Sequence, residues 1–311
     1  MTSWTAAHRI AQIQAGQTLN DLGLDRAERV DVFEAILRAG VVLCVQPMPK
    51  LFGAYQAAPD APVGILVNAN LDETTQRHTA AHELGHHAFG HATTVDGDLE
   101  ALGKGRPWPE HELLAEAFAA WFLMPRRAVR RAMQRLGLTH VRTPQDVYRI
   151  ALLLGTSYRG TARHLHSLHL ATAAQAKAWA AVPVGKVKDQ LDTLAPRRAD
   201  RRSNVWLLGR RLHGHCIHAE RGDRLIIQVP PATSGADWRL TLPPELAATS
   251  AQDALAFVGE SELGRRFVVD VPLQAPPAVY TVSAAAQGAD PAGSWQLQLS
   301  VVSPRRGVFF P

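Results

Sequence analysis

The 311-residue sequence predicts an α+β chain: a helical region built around a small sheet, followed by an all-β region. Three observations predict it. Residues 79–91, "TAAHELGHHAFGH", read as one helix with several imidazoles crowded around Glu83. A second helical pattern, "EHELLAEAFAAWFLMP", lies between Pro109 and Pro125. Beyond Val205, short apolar runs recur between Pro and Gly ("LIIQVPP", "WRLTLPP", "RFVVDVPL", "AVYTVSAAA", "SWQLQLSVV"), a cadence of strands that suggests a separate β-sandwich.

Taken in order, "DRAERVDVFEAILRAG" predicts an amphipathic helix, with Asp25 and Glu28 as a capping-box pair and Gly40 closing its end. The β-branched run "VVLCVQ" predicts a buried strand that takes Cys44 into the core. "LFGAYQ" and "VGILVNAN" predict two more, broken by "APDAP". The histidine-rich helix should begin near Asp72–Thr75 and end near Gly90. A polar, Gly-rich stretch, "TTVDGDLEALGKGRPWP", then leads to the second patterned helix, in which Phe118 and Trp121 are core residues. "RRAVRRAMQRLG" and "TPQDVYRIALLLG" are further helices, the latter opened by Thr143 with Pro144 in its first position. Ser157 can cap another, so that 144–154 and 158–169 resemble a helix-turn-helix. Ala-rich helices run to about 195, and "PRRADRRSN" reads as a linker or exposed loop. There is no internal repeat.

Composition excludes several classes. An apolar content of 46% with 20% charged residues describes a globular chain rather than a disordered one. No run approaches the roughly eighteen uninterrupted apolar residues of a membrane span. The start, "MTSWTAAHRIAQ", lacks the pattern of a signal peptide, and two cysteines argue against a secreted disulfide scaffold. A cytoplasmic location is therefore expected, which disfavours a digestive protease. The net charge of +5, carried mostly by arginine, suits phosphate recognition.

The chemistry lies in the histidine helix. His82 and His86 are four apart, so both rings leave the same face. Glu83 is rotated roughly 100° around the axis and can stand beside an ion without ligating it. This HExxH pattern suits two imidazoles gripping zinc and a carboxylate handling the proton of a water. Chance would produce it in a chain of this composition on the order of a few per cent of the time. Catalytic zinc needs a third protein ligand. Glu100, Glu110, Glu112 and Glu116 are candidates, with His91 and His111 as outsiders. Glu112 and Glu116 share a helix face, which suggests Glu112 as ligand and Glu116 as acceptor for a ligand imidazole's free N–H. Tyr55, His91 and Tyr158 are candidate oxyanion donors, and strand 63–68 is a candidate edge for an extended substrate. Cys216, in "HGHCIHAE", is read as a packed thiol in preference to a switch on the metal. His164, His166 and His169 do not share a helix face, so core or surface roles are expected for them.

"GILVNANLDETTQRHTAAHELGHHAFGH" and "EHELLAEAFAAWFLMP" together resemble the ImmA/IrrE metallopeptidase family, and "VYRIALLLGTSYRGTARHLHSL" resembles that family's helix-turn-helix-like extension. The likeness spans roughly 25–170, with one departure: Glu116 stands where the family often has Asn or Asp. "GDRLIIQVPPATSGADWRLTLPPEL" and "SWQLQLSVV" look like a chagasin-type sandwich. Only its first inhibitor loop, here "TSGADW", has a counterpart, so protease inhibition is not expected. The resemblances imply a zincin-type metallopeptidase domain over 1–140, a helical helix-turn-helix-like extension over 141–195, a basic linker over 196–205 and a small all-β sandwich domain over 206–311. They also imply Zn²⁺ as cofactor and one cut in one partner, a helix-turn-helix transcriptional repressor of a stress or defence operon. Single-stranded DNA is the activator they suggest, with no membrane involved.

Cations for DNA lie in two clusters. Arg126, Arg127, Arg130, Arg131 and Arg135 line a helix; Arg197, Arg198, Arg201, Arg202, Arg210 and Arg211 form the other, with Trp206 near enough in sequence to stack on bases. The competing reading is a non-enzymatic DNA-binding or scaffold regulator holding a structural zinc. A third is the same peptidase serving a DNA-damage regulon.

Overall fold

A computed structural model describes residues 4–58, 62–97, 108–192, 200, 202–229, 238–247, 256–261, 264–286, 294–302 and 305–311. The fold is α+β and separates into two compact units, each with its own core. Among the described residues, no helix is long and apolar enough to cross a membrane.

The first unit comprises Met1–Ala132, Leu154–Ala176 and Pro304–Pro311. It opens with a helix, α1 (Trp4–Asp21), whose inward stripe is Ala7, Ala11, Ala15 and Leu19. α2 (Val32–Arg38) follows. Its N-cap is Asp31, whose carboxylate accepts from the N–H groups of Phe33 and Glu34. The expected capping box at Asp25 and Glu28 is thus corrected: Asp25 closes a local turn by accepting from the N–H of Ala27, and the N-cap of the helix is Asp31 instead. β1 (Val42–Gln46), β2 (Leu51–Gln56) and β3 (Gly64–Asn68) form the sheet's centre. Cys44 on β1 is half-buried. Asn68, buried at the end of β3, pins the β1–β2 connection by accepting from Met48 N–H and donating to the carbonyls of Met48 and Leu51.

α3 (Glu73–Phe89) is the histidine helix, capped by Asp72 at its start and closed by left-handed Gly90. Within the stretch read as polar, Thr94–Gly97 forms strand β4. α4 (Glu110–Leu123) follows. Sheet order is β13-β1-β3-β2-β4, with β13 being Gly307–Phe309, the chain's last strand, antiparallel to β1. Arg305 fastens this return: it lies 3.5 Å from Asp31 and 4.5 Å above the Phe33 ring. Because β3 is paired on both sides, it cannot accept a substrate strand; among the described residues the edges are β13 and β4.

α3 packs on α4 and on the face of β2 and β3, while α1 packs on α4. Phe118 and Trp121 on α4 are buried as expected, and Trp121 donates its indole N–H to His8. α5 (Arg126–Leu136), α6 (Pro144–Leu154) and α7 (Tyr158–Ser167) take the positions read from sequence, α7 with Ser157 as its N-cap. Fully buried His164 on α7 lies 3.0 Å from the Met124 carbonyl oxygen and edge-on to Trp121. Burial pushes its pKa down to about 3 from 6.5. The unfolded chain therefore takes up a proton near pH 6.5 that the folded chain refuses until about pH 3. Above pH 6.5 this histidine is neutral in both states and has no pH effect. Between those values it costs stability as pH falls, by about 1.4 kcal/mol per unit. Denaturant titrations of wild type and His164→Gln between pH 7 and 4 should show a shallower acid slope in the variant.

The second unit comprises Met133–Leu153 and Lys177–Ser303. Helices α8 (Ala173–Ala181) and α9 (Val184–Leu191) precede its strands, α8 starting within the first unit. One sheet is β5-β7-β10-β9: Val205–Leu208, Arg224–Val229, Gly264–Asp270 and Ala256–Ser261. The other is β6-β12-β11-β8: Cys216–Ala219, Ser294–Val301, Val279–Ala286 and Trp238–Thr241. Side chains from both, among them Leu225, Phe267, Trp295 and Leu297, share one apolar cluster, which makes the pair a sandwich. Cys216 is exposed at the start of β6, not packed as expected, because it lies on the outer side of the alternation. The "TSGADW" loop lies outside the described residues except for Trp238.

Candidate metal centre

α3 presents His82 and His86 one turn apart toward α4, and α4 answers with Glu112 from its first turn. The close approach of the two helices rests on Gly85: a Cβ there would stand 3.1 Å from the Ala115 Cα and 3.1 Å from the Phe118 ring. His82 and His86 are fully buried, and Glu112 nearly so. His82 Nε2 is 3.1 Å from His86 Nε2 and 3.1 Å from Glu112 Oε2; His86 Nε2 is 3.7 Å from that oxygen.

Three lone-pair donors converging without solvent are mutually repulsive unless something positive sits among them. Ligand atoms around a tetrahedral ion with bonds of about 2.0–2.1 Å stand roughly 3.3–3.4 Å apart, so the triangle fits a metal ion. Among the described residues, these three form the group whose donor atoms all lie within 4.8 Å of one another. Burial alone would raise the Glu112 pKa, but His82 and His86 outweigh it and hold the carboxyl well below its usual range. Its other oxygen, Oε1, is 3.2 Å from His111 Nε2, so the carboxylate is gripped at both ends.

Glu83 is fully buried on the side of α3 that faces β2. Gly53 makes room for it. A Cβ at position 53 would stand 2.5 Å from Thr79 Cγ2, 2.8 Å from the Leu66 carbonyl oxygen and 2.9 Å from Glu83 Oε1. Gly53→Ala should therefore destabilise the fold by about 1–3 kcal/mol and displace the carboxylate. Thermal melting checks the first effect, and a crystal structure of the variant checks the second.

Glu116 Oε2 is 3.6 Å from His82 Nδ1 and 3.0 Å from His78 Nε2. Burial pushes the Glu116 pKa up, yet the imidazoles of His78 and His82 bring it well below the ordinary value, and Glu116 in turn raises that of His78. His78 was not singled out from the sequence; its place one turn before His82 was the available signal. His91 Nδ1 lies 2.9 Å from His86 Nδ1. Desolvation, with His86 and His111 nearby, lowers the His91 pKa to about 4. Tyr55 Oη faces His87 Nδ1 at 3.2 Å, and Tyr158 is buried. Glu110 is exposed, and Glu100 lies outside the described residues.

Residues 37–165 match the Peptidase_M78 family, the IrrE N-terminal-like domain. The M78 match runs from the last turn of α2 into α7 and contains every residue of the cluster, which supports a metallopeptidase domain of ImmA/IrrE type. No curated protein is matched by the chain. Among solved structures, the cysteine protease inhibitor EhICP2 from Entamoeba histolytica is similar at 14% identity and a TM-score of 0.24, over 32% of this chain and 98% of that one. That likeness is too slight to assign a fold or an activity.

The cations expected to meet DNA are unevenly placed. Arg126, Arg127, Arg130 and Arg131 are exposed along α5, as are Arg202, Arg210 and Arg211. Arg197, Arg198 and Arg201 lie outside the described residues. Trp206 is corrected as a stacking platform: it is buried, with its indole N–H donated to Asp223.

Proposed function

We propose that this chain is a site-specific zinc endopeptidase. It cleaves a helix-turn-helix transcriptional repressor and so derepresses a bacterial stress or anti-phage defence operon, with single-stranded DNA as activator. The particular reading is a peptidase like CapP of CBASS operons, whose substrate is a CapH-like repressor. The sandwich is then its chagasin-like C-terminal domain. The observation that carries the proposal is the buried triangle of His82, His86 and Glu112 with Glu83 on the same helix.

In this reading His82, His86 and Glu112 hold Zn²⁺, leaving a coordination position open as catalytic sites require. When bound, the ion supplies Lewis acidity, polarising the scissile carbonyl and bringing a water's pKa to about 7. Glu83 takes the proton from the attacking water at its carboxylate and delivers it to the leaving amine nitrogen. Glu116, braced by its contact with His78, stands 3.6 Å from His82 Nδ1, where its negative charge favours a proton on that nitrogen and leaves Nε2 as the ligand atom. β4, an edge strand beside β2 among the described residues, offers its outer backbone groups to an extended substrate segment.

Incubation with the repressor encoded beside the protein tests this, with and without single-stranded DNA and a chelator. One discrete cut, stimulated by DNA and abolished by chelation, is expected. Stimulation should fall steeply as salt rises, because phosphate contacts release counterions. An intact repressor under every condition would contradict the proposal.

A further inference from the structure

The geometry points to His91 as the positioning residue for His86: it accepts the His86 Nδ1–H and fixes the ring with Nε2 toward the ion, without ligating the ion itself. The inference rests on the metal site of the proposed function. His86 spends Nε2 on the triangle with His82 and Glu112. A neutral imidazole that ligates through Nε2 carries its proton on Nδ1, and that proton needs an acceptor. The atom facing it is His91 Nδ1, 2.9 Å away. The two nitrogens of one imidazole point in divergent directions, so an acceptor on Nδ1 stands behind the ring, away from the ion. His91 is therefore the neutral tautomer, with its lone pair on Nδ1 and its proton on Nε2.

The fold builds this contact from the chain's own turn. Gly90 ends α3 in the left-handed conformation, φ 65° and ψ 34°, which costs glycine nothing. The chain reverses, and the His91 N–H donates to the His86 carbonyl oxygen at 3.0 Å. The residue that closes the helix backbone on His86 thus also closes on its ring. Phe89 stacks on His91 with ring centroids 5.5 Å apart and planes at 20°, fixing the second imidazole in turn. The two ligand histidines are held by unlike partners: His82 faces a carboxylate, His86 a neutral ring.

Two variants of the full chain separate acceptor from ligand and from filler. His91→Asn places an amide oxygen where Nδ1 stood; His91→Phe keeps a ring on Phe89 but removes the acceptor. Zinc affinity by chelator competition, the visible spectrum of the Co²⁺-loaded chain and the melting temperature of the metal-free chain are read for each. Expected are a loss of zinc affinity of about 10–100-fold and an altered Co²⁺ spectrum for His91→Phe, near-wild-type values for His91→Asn, and metal-free melting that is unchanged in His91→Asn and lowered only modestly in His91→Phe. Wild-type affinity and spectrum in His91→Phe would overturn the role, as would an Asn variant as weak as Phe. A wild-type chain that binds no zinc would remove the metal site and this role together. The expected affinity pattern with no repressor cleavage would sink the peptidase reading and leave the role of His91 standing.

Discussion

Glu83→Gln should keep its zinc and lose repressor cleavage by about 10²–10⁴-fold, the range of a removed general acid–base group. The substitution keeps the shape of a side chain that is fully buried against the backbone of β2 at Gly53, so packing is barely disturbed. What it removes is the capacity to take a proton. Glu83 is not among the three converging donors, so the metal content should not change. Cleavage assays and metal analysis on one preparation check both halves. A variant that cleaves at the wild-type rate would refute Glu83 as the proton carrier, whereas no cleavage by the wild-type chain would favour the non-enzymatic reading, in which the ion only holds α3 to α4.

Glu112→Ala should lose the metal as well as activity. Structural zinc sites bind with roughly 10–16 kcal/mol shared among four ligands, so one ligand accounts for about 2.5–4 kcal/mol, or on the order of 10²–10³ in affinity. The same change strips His82 and His86 of their shared carboxylate partner and leaves two buried imidazole lone pairs 3.1 Å apart. Zinc should then stabilise the variant against heat far less than it stabilises wild type, since the increment follows the affinity. Chelator competition and melting with added zinc measure the two effects. Unaltered affinity would mean that another group completes the site.

Most of the site was legible because its signals are local. The spacing of His82 and His86 is set by one helix turn, and Asp72 and Gly90 mark the ends of α3 with ordinary cap chemistry. Glu112 followed from the helix face it shares with Glu116 on a second strongly patterned helix. What needed tertiary geometry was not legible: that Glu116 also reaches His78, or that His91 backs His86 without joining Glu112.

The fold divides the same way. α1 gave little apolar signal because its buried stripe is three alanines and one leucine. Asp25 and Asp31 both carry capping chemistry, and only the tertiary path chose Asp31. The pairing of Gly307–Phe309 with Leu43–Val45 joins opposite ends of the chain, beyond the reach of any periodicity. Trp206 looked available for stacking, but β5 turns it into the sandwich core, where Asp223 satisfies its N–H.

The central claim is that two imidazoles and one carboxylate hold a single ion with a position left open, and zinc-edge X-ray absorption on the stoichiometrically loaded chain tests it most directly. The account predicts two imidazoles with the remaining scatterers being light atoms at about 2.0–2.2 Å. A sulfur scatterer near 2.3 Å, or a shell closed by four protein ligands, would contradict it.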